Sequence, residues 1–512
     1  MTPDHEVPAV IAQVWNEILG TDSTRTDSFF EQGGTSLSAA LLISRLSRRL
    51  GRQLSMVTFI ARPYLADLIE SAATEATGFT ITTAPAEGGR HPVTANQAAR
   101  LARVRRARRS GETDWNSLSH LIVVGYTVRG ELDPDRLSRA VDWVVDRHQG
   151  LRTAFDWETD QQWVVADNRP TLEVVKDARE RAWEALRLDD GRLARFLLTA
   201  VEPGHWELWI SLEHIVADRP SVRAVLADLR TAYDQGWGVE MADRQPAPTQ
   251  NHTAASTEDA FCRSADGLQA REYWTRALDG RSPWVGLSHP AAREVQDAEG
   301  RRAVRHVAKL DTDAAAAITA TALKDGTTWL SVALVALATA VGSANEEPEV
   351  GVLVPLSNRE LPGFDDVVSF LTNIVPVLVT PDLSGDPADR LRAGRNSIID
   401  ALRNASYPMH RLTRETVPDE WGQFQRRPFL YLDVDLGSGD EFGLDGCQLL
   451  EVVDEPESAL WGLAAWVEVR DSAVEISMTH QEGFLSREVG AGLFEAFHRH
   501  LVEYAAIIGQ AR

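Results

Sequence analysis

The sequence is poor in cysteine, has fewer basic than acidic residues, and contains no long apolar run. Of its 512 residues only Cys262 and Cys447 are cysteines, far apart and without a CxxC spacing, which argues against a zinc site or a disulfide framework. The net charge of −23 disfavours a nucleic-acid partner, because phosphate binding needs a basic surface. No run of 18 apolar residues is present, so we expect no membrane-spanning helix.

The first residues do not resemble a secretion signal. Residues 1–6, Met-Thr-Pro-Asp-His-Glu, have neither the basic start nor the apolar stretch of a signal peptide, so a cytoplasmic protein is expected. The hydrophobic content of 44% and charged content of 25% are ordinary for a globular protein. The length predicts two or three core-forming units.

Hydrophobic periodicity divides the chain into a small helical unit and a larger α/β unit. Residues 1–76 predict short helices with apolar stripes at 10–18 and 41–50 and a third helix at 64–73. Residues 77–92 are rich in Thr, Pro and Gly and predict a linker. The remainder predicts two α/β lobes, at 93–260 and 261–512.

Within the larger unit, several elements are predicted from period and turn residues. The expected strands are 120–129, 196–201, 206–213 and 350–355. The expected helices are 133–148, 220–233 and 328–341. Residues 240–260 are expected to be irregular. A run of arginines predicts a solvated helix face, with contact to a phosphate or to a partner's carboxylates as the alternative: Arg100, Arg103, Arg105, Arg106, Arg108 and Arg109.

The helical unit contains a serine in a setting that suits an attached anion. Residues 33–37, Gly-Gly-Thr-Ser-Leu, combine two glycines that allow a tight turn with Ser36 at the start of an apolar helix. Free N–H groups and the helix dipole favour a negative group there. The pentapeptide alone leaves two interpretations open, an ordinary serine cap or an attachment site. It resembles the attachment site of the carrier domains of nonribosomal peptide synthetases, and this resemblance implies a 4′-phosphopantetheine arm on Ser36.

The second candidate site lies at the end of the predicted strand 206–213. Period two places Leu212 and His214 on one face and Glu213 on the other, so the two ionisable side chains should have different roles. Asp218 follows just before a predicted helix, and such strand-to-helix junctions expose reactive groups on a rigid frame. A single histidine there is structural or catalytic.

Six segments occur in the order of the motifs of condensation domains, which are relatives of chloramphenicol acetyltransferase. Residues 211–221 resemble HHxxxDG and residues 147–155 resemble RHExLRTxF. The other segments resemble the opening motif, GxFVNT, a degraded HQDYPFE and RNPLF: 96–101, 368–373, 404–410 and 426–429. The resemblance covers roughly residues 93–510, and the carrier resemblance covers 6–76.

This resemblance implies a multidomain chain, in which a small all-α four-helix carrier bundle precedes a two-lobed α/β condensation domain with its lobes in a V. His214 would lie at the centre of a tunnel between the lobes, as a general base or as a group that orients the nucleophile. Asp218 would hold its loop by a salt bridge to an arginine that the sequence does not identify. Asn373 would line the site.

Two residues depart from the family motif. Glu213 replaces the first histidine, and a buried glutamate needs a cationic or donor partner. Arg219 replaces the glycine, where it would narrow the acceptor's route, hold an acidic substrate group, or mark a domain that has lost activity. The segment at Tyr407 is expected to be a packing turn.

The sequence therefore predicts a carrier–condensation didomain that forms an amide from a thioester on Ser36. A phosphopantetheinyl transferase would add the arm, and a separate adenylation enzyme or an upstream module would load it. The acceptor would be a downstream carrier or a free small molecule supplied in trans. Ester formation is the close alternative, and a non-catalytic platform that recruits another enzyme is a second; a free-standing acyltransferase using coenzyme A is disfavoured by the fused carrier.

Overall fold

The structure of the protein is a computed structural model that describes the α/β unit and parts of the helical unit. The described residues are 7–19, 24, 26–29, 32, 42–43, 46, 50, 54, 58–59, 62–74, 89–111, 120–235, 247–284, 291–293, 302–322, 328–345, 349–359, 364, 366–420, 429–437, 442–452, 461–470 and 473–510. Ser36 and most of the predicted linker lie outside them. Within those ranges no helix has the length and apolar character needed to cross a membrane.

The helical unit has an aromatic core. Helices α1 (Val7–Leu19) and α2 (Leu65–Thr74) confirm the first and third predicted helices. Trp15 of α1 makes edge-on contacts with Phe29 and Phe59, at ring-centroid distances of 5.0 and 5.9 Å. Three leucines of the predicted second stripe are helical and buried in the same core: Leu42, Leu46 and Leu50.

The α/β unit alternates helices and strands along its length. Its helices are α3 (Ala95–Ser110), α4 (Pro134–Arg147), α5 (Ala178–Ala182), α6 (Arg219–Gln235), α7 (Asn251–Arg263), α8 (Ala265–Leu278), α9 (Thr312–Ala322), α10 (Trp329–Asn345), α11 (Pro387–Arg403), α12 (Met409–Thr416) and α13 (Arg487–Gln510). Proline and an aspartate cap begin two of them, α4 at Asp133 and α11 at Asp386, because proline suits the first helical turn.

The strands of this unit form three sheets. They are β1 (His91–Pro92), β2 (Leu121–Gly130), β3 (Thr153–Asp156), β4 (Gln161–Val164), β5 (Leu172–Val174), β6 (Ala194–Glu202), β7 (His205–Glu213), β8 (Ala303–Leu310), β9 (Val350–Leu356), β10 (Asn373–Val379), β11 (Leu430–Asp435), β12 (Cys447–Val452), β13 (Leu463–Arg470) and β14 (Ala473–Gln481). The small sheet has the order β1-β4-β3 and is antiparallel.

The first large sheet has the order β12-β2-β7-β6-β5, with only the β5–β6 pair parallel. One face of β7 packs on α4 and α6 through Leu208, Ile210 and Leu212. On the other face Trp209 packs with Ala182 of α5. The period-two prediction for this strand is confirmed, and it places successive residues at the end of β7 on opposite faces.

The second large sheet has the order β10-β9-β11-β13-β14-β8. Its core is the larger one and includes α10, whose residues 331–342 are all buried. This burial on all sides explains why the predicted helix is uniformly apolar in sequence. Strand β12 lies in the first sheet although its flanking strands β11 and β13 lie in the second, so the chain crosses between the lobes and back.

The prediction that residues 240–260 are irregular is wrong for 251–260, which belong to α7. The helix also runs across residue 260, where the sequence predicts the lobe boundary. Its buried positions mix polar side chains, such as Asn251, Thr257 and Glu258, with apolar ones, such as Ala254 and Phe261, so the sequence shows no clear apolar stripe. Hydrophobic periodicity does not detect a helix that is buried through hydrogen bonds.

Candidate active site

His214 lies where β7 ends, between the two lobes. Its backbone N–H donates to the carbonyl oxygen of His120, at 2.7 Å. Its ring packs on Phe370, from the segment that precedes β10, with the ring centroids 4.4 Å apart. Nδ1 of His214 is buried and makes no hydrogen bond within the described part of the chain. A buried polar atom without a partner is rare in folded proteins and marks a place where a ligand or water completes the site.

Glu213 is neutralised by one arginine. Oε1 of Glu213 accepts from Nη2 and Nε of Arg100, at 2.9 and 3.2 Å, and Oε2 accepts from the backbone N–H of Ile215. Both side chains of the ion pair are nearly inaccessible, at 3% for Arg100 and 2% for Glu213. The expected cationic partner of Glu213 is therefore Arg100. Both oxygens of the Glu213 carboxylate are therefore bound by donors within the protein, and these bonds hold the turn after β7.

The arginine run of α3 is not a uniform solvated face, and this correction follows from how α3 packs. Arg100 is buried on Glu213, and Arg103 donates from Nη1 to Nε2 of His120, at 3.0 Å. Arg105 pairs with Asp160. Only the end of the helix, at Arg108 and Arg109, is exposed. Paired carboxylates that are distant in sequence create buried positions for arginines, which a local pattern does not reveal.

Asp218 joins the start of α6 to the segment before β10. Its carboxylate accepts from both terminal nitrogens of Arg359, at 2.7 and 3.0 Å, and from the backbone N–H of Ser221, at 3.1 Å. The N–H groups of Leu371 and Thr372 donate to Oδ2, at 3.0 and 2.9 Å. Burial alone would raise the pKa of Asp218, but the charge and hydrogen bonds of Arg359 lower it below the usual value. The expected salt bridge is confirmed, and its arginine is Arg359.

A polar network extends this connection on the other side of His214. Nδ2 of Asn96 donates to the carbonyl oxygens of Phe370 and Thr372, at 3.3 and 2.9 Å. The hydroxyl of Ser369 donates to Oδ1 of Asn251, which also accepts from Gln97. The segment that carries Phe370 is thereby held by side chains of α3 and α7 as well as by Asp218.

Arg219 has protein partners on the opposite lobe. Its guanidinium lies 3.4 Å from Asp433 and 3.2 Å from Asp435, both on β11, and the side chain is 49% exposed. Arg223 and Arg470 also bind Asp435, at 3.2 and 2.9 Å. This group of charges, Arg219, Arg223, Arg470, Asp433 and Asp435, is called the inter-lobe charge cluster below. Arg219 therefore connects α6 of the first lobe to the second sheet.

Asn373 is a brace inside the second lobe. Its Nδ2 donates to the carbonyl oxygens of Ala405 and Tyr407, at 2.7 and 2.8 Å, and its Oδ1 accepts from the N–H of Met409, at 3.0 Å. The residue is 1% exposed. Tyr407 is equally buried, and its hydroxyl donates to Glu415. The structure thus places Asn373 behind the segment that contacts His214 and uses its amide to hold the turn at Tyr407.

Ser36 and the residues around it, 33–41, lie outside the described residues, but Gln32 before them and Leu42 after them are described. Before it, Gln32 accepts from the indole of Trp15, at 2.9 Å, and donates to Asp27, at 2.8 Å. After it, Leu42 and Leu46 are helical and buried. Leu42 and Leu46 thus belong to the hydrophobic core of the helical unit.

The comparison with known families agrees with both parts of the chain. The sequence profile of the family described as Condensation domain matches residues 116–501, and that described as Phosphopantetheine attachment site matches residues 9–71. Among curated proteins, the cyclosporin synthetase simA of Tolypocladium inflatum is 26% identical over 84% of this chain and 3% of its own length. The probable non-canonical nonribosomal peptide synthetase CymA of Salinispora arenicola is 27% identical over 81% of this chain and 5% of its own length. The chain thus spans less than a tenth of these relatives.

Solved structures share the fold of the α/β unit. The X-domain from teicoplanin biosynthesis is 20% identical with a TM-score of 0.68, covering 83% of this chain and 96% of that one. The condensation domain from the Monacolin K polyketide synthase MokA is 15% identical with a TM-score of 0.66, covering 82% and 98%. The predicted fold class, a helical unit followed by a two-lobed α/β condensation domain, is confirmed. Within the part of the chain that the structure describes, no group of three or more His, Cys, Asp or Glu side chains is placed to hold a metal ion.

Proposed function

We propose that His214 assists the transfer of a carrier-bound acyl group to an amine. This proposal starts from the family: the chain belongs to the condensation-domain family, and a phosphopantetheine attachment domain precedes its condensation domain. The carrier domain bears a covalent 4′-phosphopantetheine, which supplies an acyl group as an activated thioester. We assign the attachment to Ser36. A phosphopantetheinyl transferase adds the arm, and an adenylation enzyme or an upstream module loads it.

The observation that carries this proposal is the position of His214 between the lobes, with Nδ1 buried and unpartnered among the described residues. A neutral imidazole can hold the attacking amine and accept its proton as the amide bond forms. Placing that amine next to an acyl group that is already activated supplies much of the rate. Phe370 packs against the imidazole ring from one side.

The departures from the family motif are compatible with catalysis. Glu213 is on the opposite face of β7 from His214 and is bound by Arg100, so replacing the first motif histidine leaves the second in place. Arg219 is bound to Asp433 and Asp435. We infer that both substitutions changed the ion pairs around the site and left the imidazole of His214 accessible to a substrate.

The test follows an acyl group on the intact chain. Acyl-loaded wild type is mixed with an amine, and the loss of the acyl group and the new amide are measured by mass spectrometry. We expect His214→Ala to lose the acyl group at least about 10²-fold more slowly, because general base catalysis contributes 10²–10⁴-fold. His205→Ala, at the other end of β7, is the matched control with wild-type rates. Equal rates in wild type and His214→Ala would refute the catalytic role.

The attachment site has a separate test. A phosphopantetheinyl transferase should add one arm per chain to the wild type and none to Ser36→Ala. Ser38→Ala, two residues along the same segment, is the matched control and should accept one arm. An arm on Ser36→Ala would remove the assignment.

The nature of the acceptor is an extension of the same proposal. A free hydroxyl in place of the amine would give an ester by the same geometry, so amines and alcohols are compared at equal concentration on the loaded chain. Faster product formation with an alcohol would assign ester formation, and a carrier-bound amine that reacts fastest would assign a downstream carrier as acceptor.

A second candidate function is a non-catalytic platform for another enzyme. It is favoured by the inter-lobe charge cluster, which ties Arg219 to the second lobe at the motif's glycine position. It is also favoured by the likeness to an X-domain solved in complex with OxyB from teicoplanin biosynthesis, with a TM-score of 0.67. This function would be supported if the acyl-loaded chain forms no product but binds a modifying enzyme. The His214→Ala variant should then bind that enzyme equally well.

A further inference from the structure

A second histidine lies next to His214. Strands β2 and β7 pair antiparallel with Leu121 opposite Glu213, and the ladder continues one step through the hydrogen bond from His214 to His120. Residues directly opposite each other in an antiparallel pair project to the same face, with their Cβ atoms about 4.5–5.5 Å apart. His120 and His214 are therefore directly opposite each other where the two strands end, and their side chains are expected to lie close together, while Glu213 is bound by Arg100.

Arg103 determines the protonation state of His120. Nη1 of Arg103 lies 3.0 Å from Nε2 of His120. A guanidinium is always charged and can only donate, so Nε2 must be the unprotonated, accepting nitrogen. The proton of the neutral ring is then on Nδ1. Nδ1 has no hydrogen bond to a described residue, and the residue is only partly buried, so this N–H can donate to a bound molecule.

The surroundings of His120 keep this ring neutral. Burial lowers the pKa of His120 well below its usual value, and the cations Arg100 and Arg103 and the neighbouring His214 lower it further. Glu213, the nearby carboxylate, is already bound to Arg100. A protonated ring would also lose the hydrogen bond from Arg103, because both of its nitrogens would be donors.

We propose that the Nδ1–H of His120, fixed by Arg103, donates a hydrogen bond to the acyl carbonyl oxygen while His214 serves the nucleophile. This inference rests on the proposed function, since it assigns a second group to the same reaction. Negative charge develops on that oxygen as the amine attacks, and a fixed donor in a site shielded from water stabilises it. Glu213 cannot do this, because an ionised carboxylate only accepts.

These two roles, a donor to the oxyanion and a base for the nucleophile, explain why two neighbouring histidines have different partners. His214 needs a nitrogen that can accept a proton, and no cation of the described residues is bonded to its ring. His120 needs a proton that stays in place, and Arg103 ensures this by occupying the other nitrogen. His120 is thus a catalytic residue in this proposal, and Arg103 is a positioning residue.

The kinetic test uses the full chain loaded with an acyl group. We expect His120→Phe to lower kcat about 10²-fold with little change in KM for the amine, which is the effect of removing one oxyanion donor. His120→Gln, which keeps an N–H donor, should recover part of this loss. His205→Phe, at the other end of β7, is the matched control with unchanged kcat. A His120→Phe variant with wild-type kcat would overturn the inference.

A second measurement does not depend on activity. Nitrogen NMR shifts of the histidine ring, assigned by comparison with His120→Phe, should show the Nδ1–H tautomer at pH 7 in the wild-type chain. Arg103→Gln should raise the pKa of His120 and admit the other tautomer. A wild-type ring that is protonated on Nε2 overturns the inference whether or not the chain is active. Full activity in His214→Ala with the Nδ1–H tautomer present would instead refute the proposed function alone.

Discussion

At the residue scale, the buried pair of Arg100 and Glu213 shows how the departure from the family motif is accommodated. Two charges removed from water gain little net stability from each other, but each becomes costly if the other is lost. The glutamate is tolerated because α3 supplies an arginine within 2.9 Å. The two residues therefore have to be considered as one unit.

We predict that Arg100→Met destabilises the α/β unit by about 3–5 kcal/mol, because it leaves the Glu213 carboxylate buried and unpaired. The double variant Arg100→Met/Glu213→Leu should regain most of that loss. Urea denaturation measures both, and Arg109→Met, on the exposed end of α3, should change stability by less than about 0.5 kcal/mol. A loss below 1 kcal/mol (roughly the value of an exposed pair) in Arg100→Met would contradict the account.

A second buried carboxyl predicts a pH dependence. Burial raises the pKa of Glu258 from 4.5 to about 7, although the N–H of Ala95, at 2.7 Å, and the charge of Arg411 oppose the shift. The folded state thus holds this proton more tightly than the unfolded state. Its stabilising contribution is complete below pH 4.5 and is lost as the pH rises through about 7.

Glu258→Gln should remove this dependence and keep the acceptor for Ala95. As the pH rises from 4.5 to 8, we expect the free energy of unfolding of the variant to increase by up to about 3 kcal/mol relative to that of the wild type. One unit of pKa corresponds to about 1.4 kcal/mol. Denaturant midpoints at a series of pH values measure the difference. Parallel stability curves for the two proteins would show that Glu258 does not titrate in this range.

At the scale of elements, the connection between β7 and α6 organises the site through Asp218. The carboxylate accepts from an N–H in the first turn of α6, which caps the helix, and from two N–H groups before β10. A helix start and a segment of the other lobe are therefore held by one side chain. Phe370 belongs to that segment, so its contact with His214 depends on Asp218.

We predict that Asp218→Asn costs about 3–5 kcal/mol, because Arg359, with its side chain 7% exposed, is left as an uncompensated buried charge. The ring signals of His214 should also shift as Phe370 moves away. Asp135→Asn, an exposed aspartate in the first turn of α4, is the matched control and should cost less than about 0.5 kcal/mol. Unchanged His214 signals in a destabilised Asp218→Asn would show that the contact is held by other residues.

Elements with a strong period were predictable, and those held by polar contacts were not. Strands β2 and β7 and helix α10 follow their predicted ranges within a few residues, because alternation or continuous burial appears directly in the sequence. Helix α7 was missed, because polar residues such as Asn251 and Glu258 interrupt the apolar positions of its buried face.

The same distinction applies to the candidate site. His214 and Asp218 stand in a recognisable motif, and the requirement for cationic partners followed from charge burial. The identity of the partners Arg100 and Arg359 did not, because they are 113 and 141 residues away along the chain. His120 was predicted only as the start of a strand, and its proximity to His214 appears once the register of β2 and β7 is known.

At the scale of the whole molecule, the two lobes are joined by more than a linker. Strand β12 pairs with β2 along six residues, from Cys447 to Val452, although the chain on either side of it belongs to the second lobe. Asp218 and the inter-lobe charge cluster connect the lobes on the side of the site. In the proposed function the acyl group and the amine meet at His214 between the lobes, so we expect these connections to determine the width of the path to His214.

Arg219 is the member of that cluster that contacts both Asp433 and Asp435. Burial raises the pKa of Asp433, and Arg219 opposes this shift, so Asp433 loses its nearest cation when Arg219 is replaced. Asp435 keeps Arg223 and Arg470. Because Arg219 is 49% exposed, we expect Arg219→Ala to cost no more than about 1 kcal/mol of stability and to act mainly on the distance between the lobes.

Labels on two exposed positions, Val201 in β6 of the first sheet and Val307 in β8 of the second, report that distance. They are attached to introduced cysteines in a chain that carries Cys447→Ser. Arg219→Ala should lengthen and broaden the distance distribution at low salt, whereas Arg223→Ala, which leaves Arg219 on both aspartates, should resemble the wild type. At high salt the difference should shrink, because screening weakens exposed ion pairs. Identical distributions in all three proteins at low salt would mean that Arg219 does not hold the lobes together.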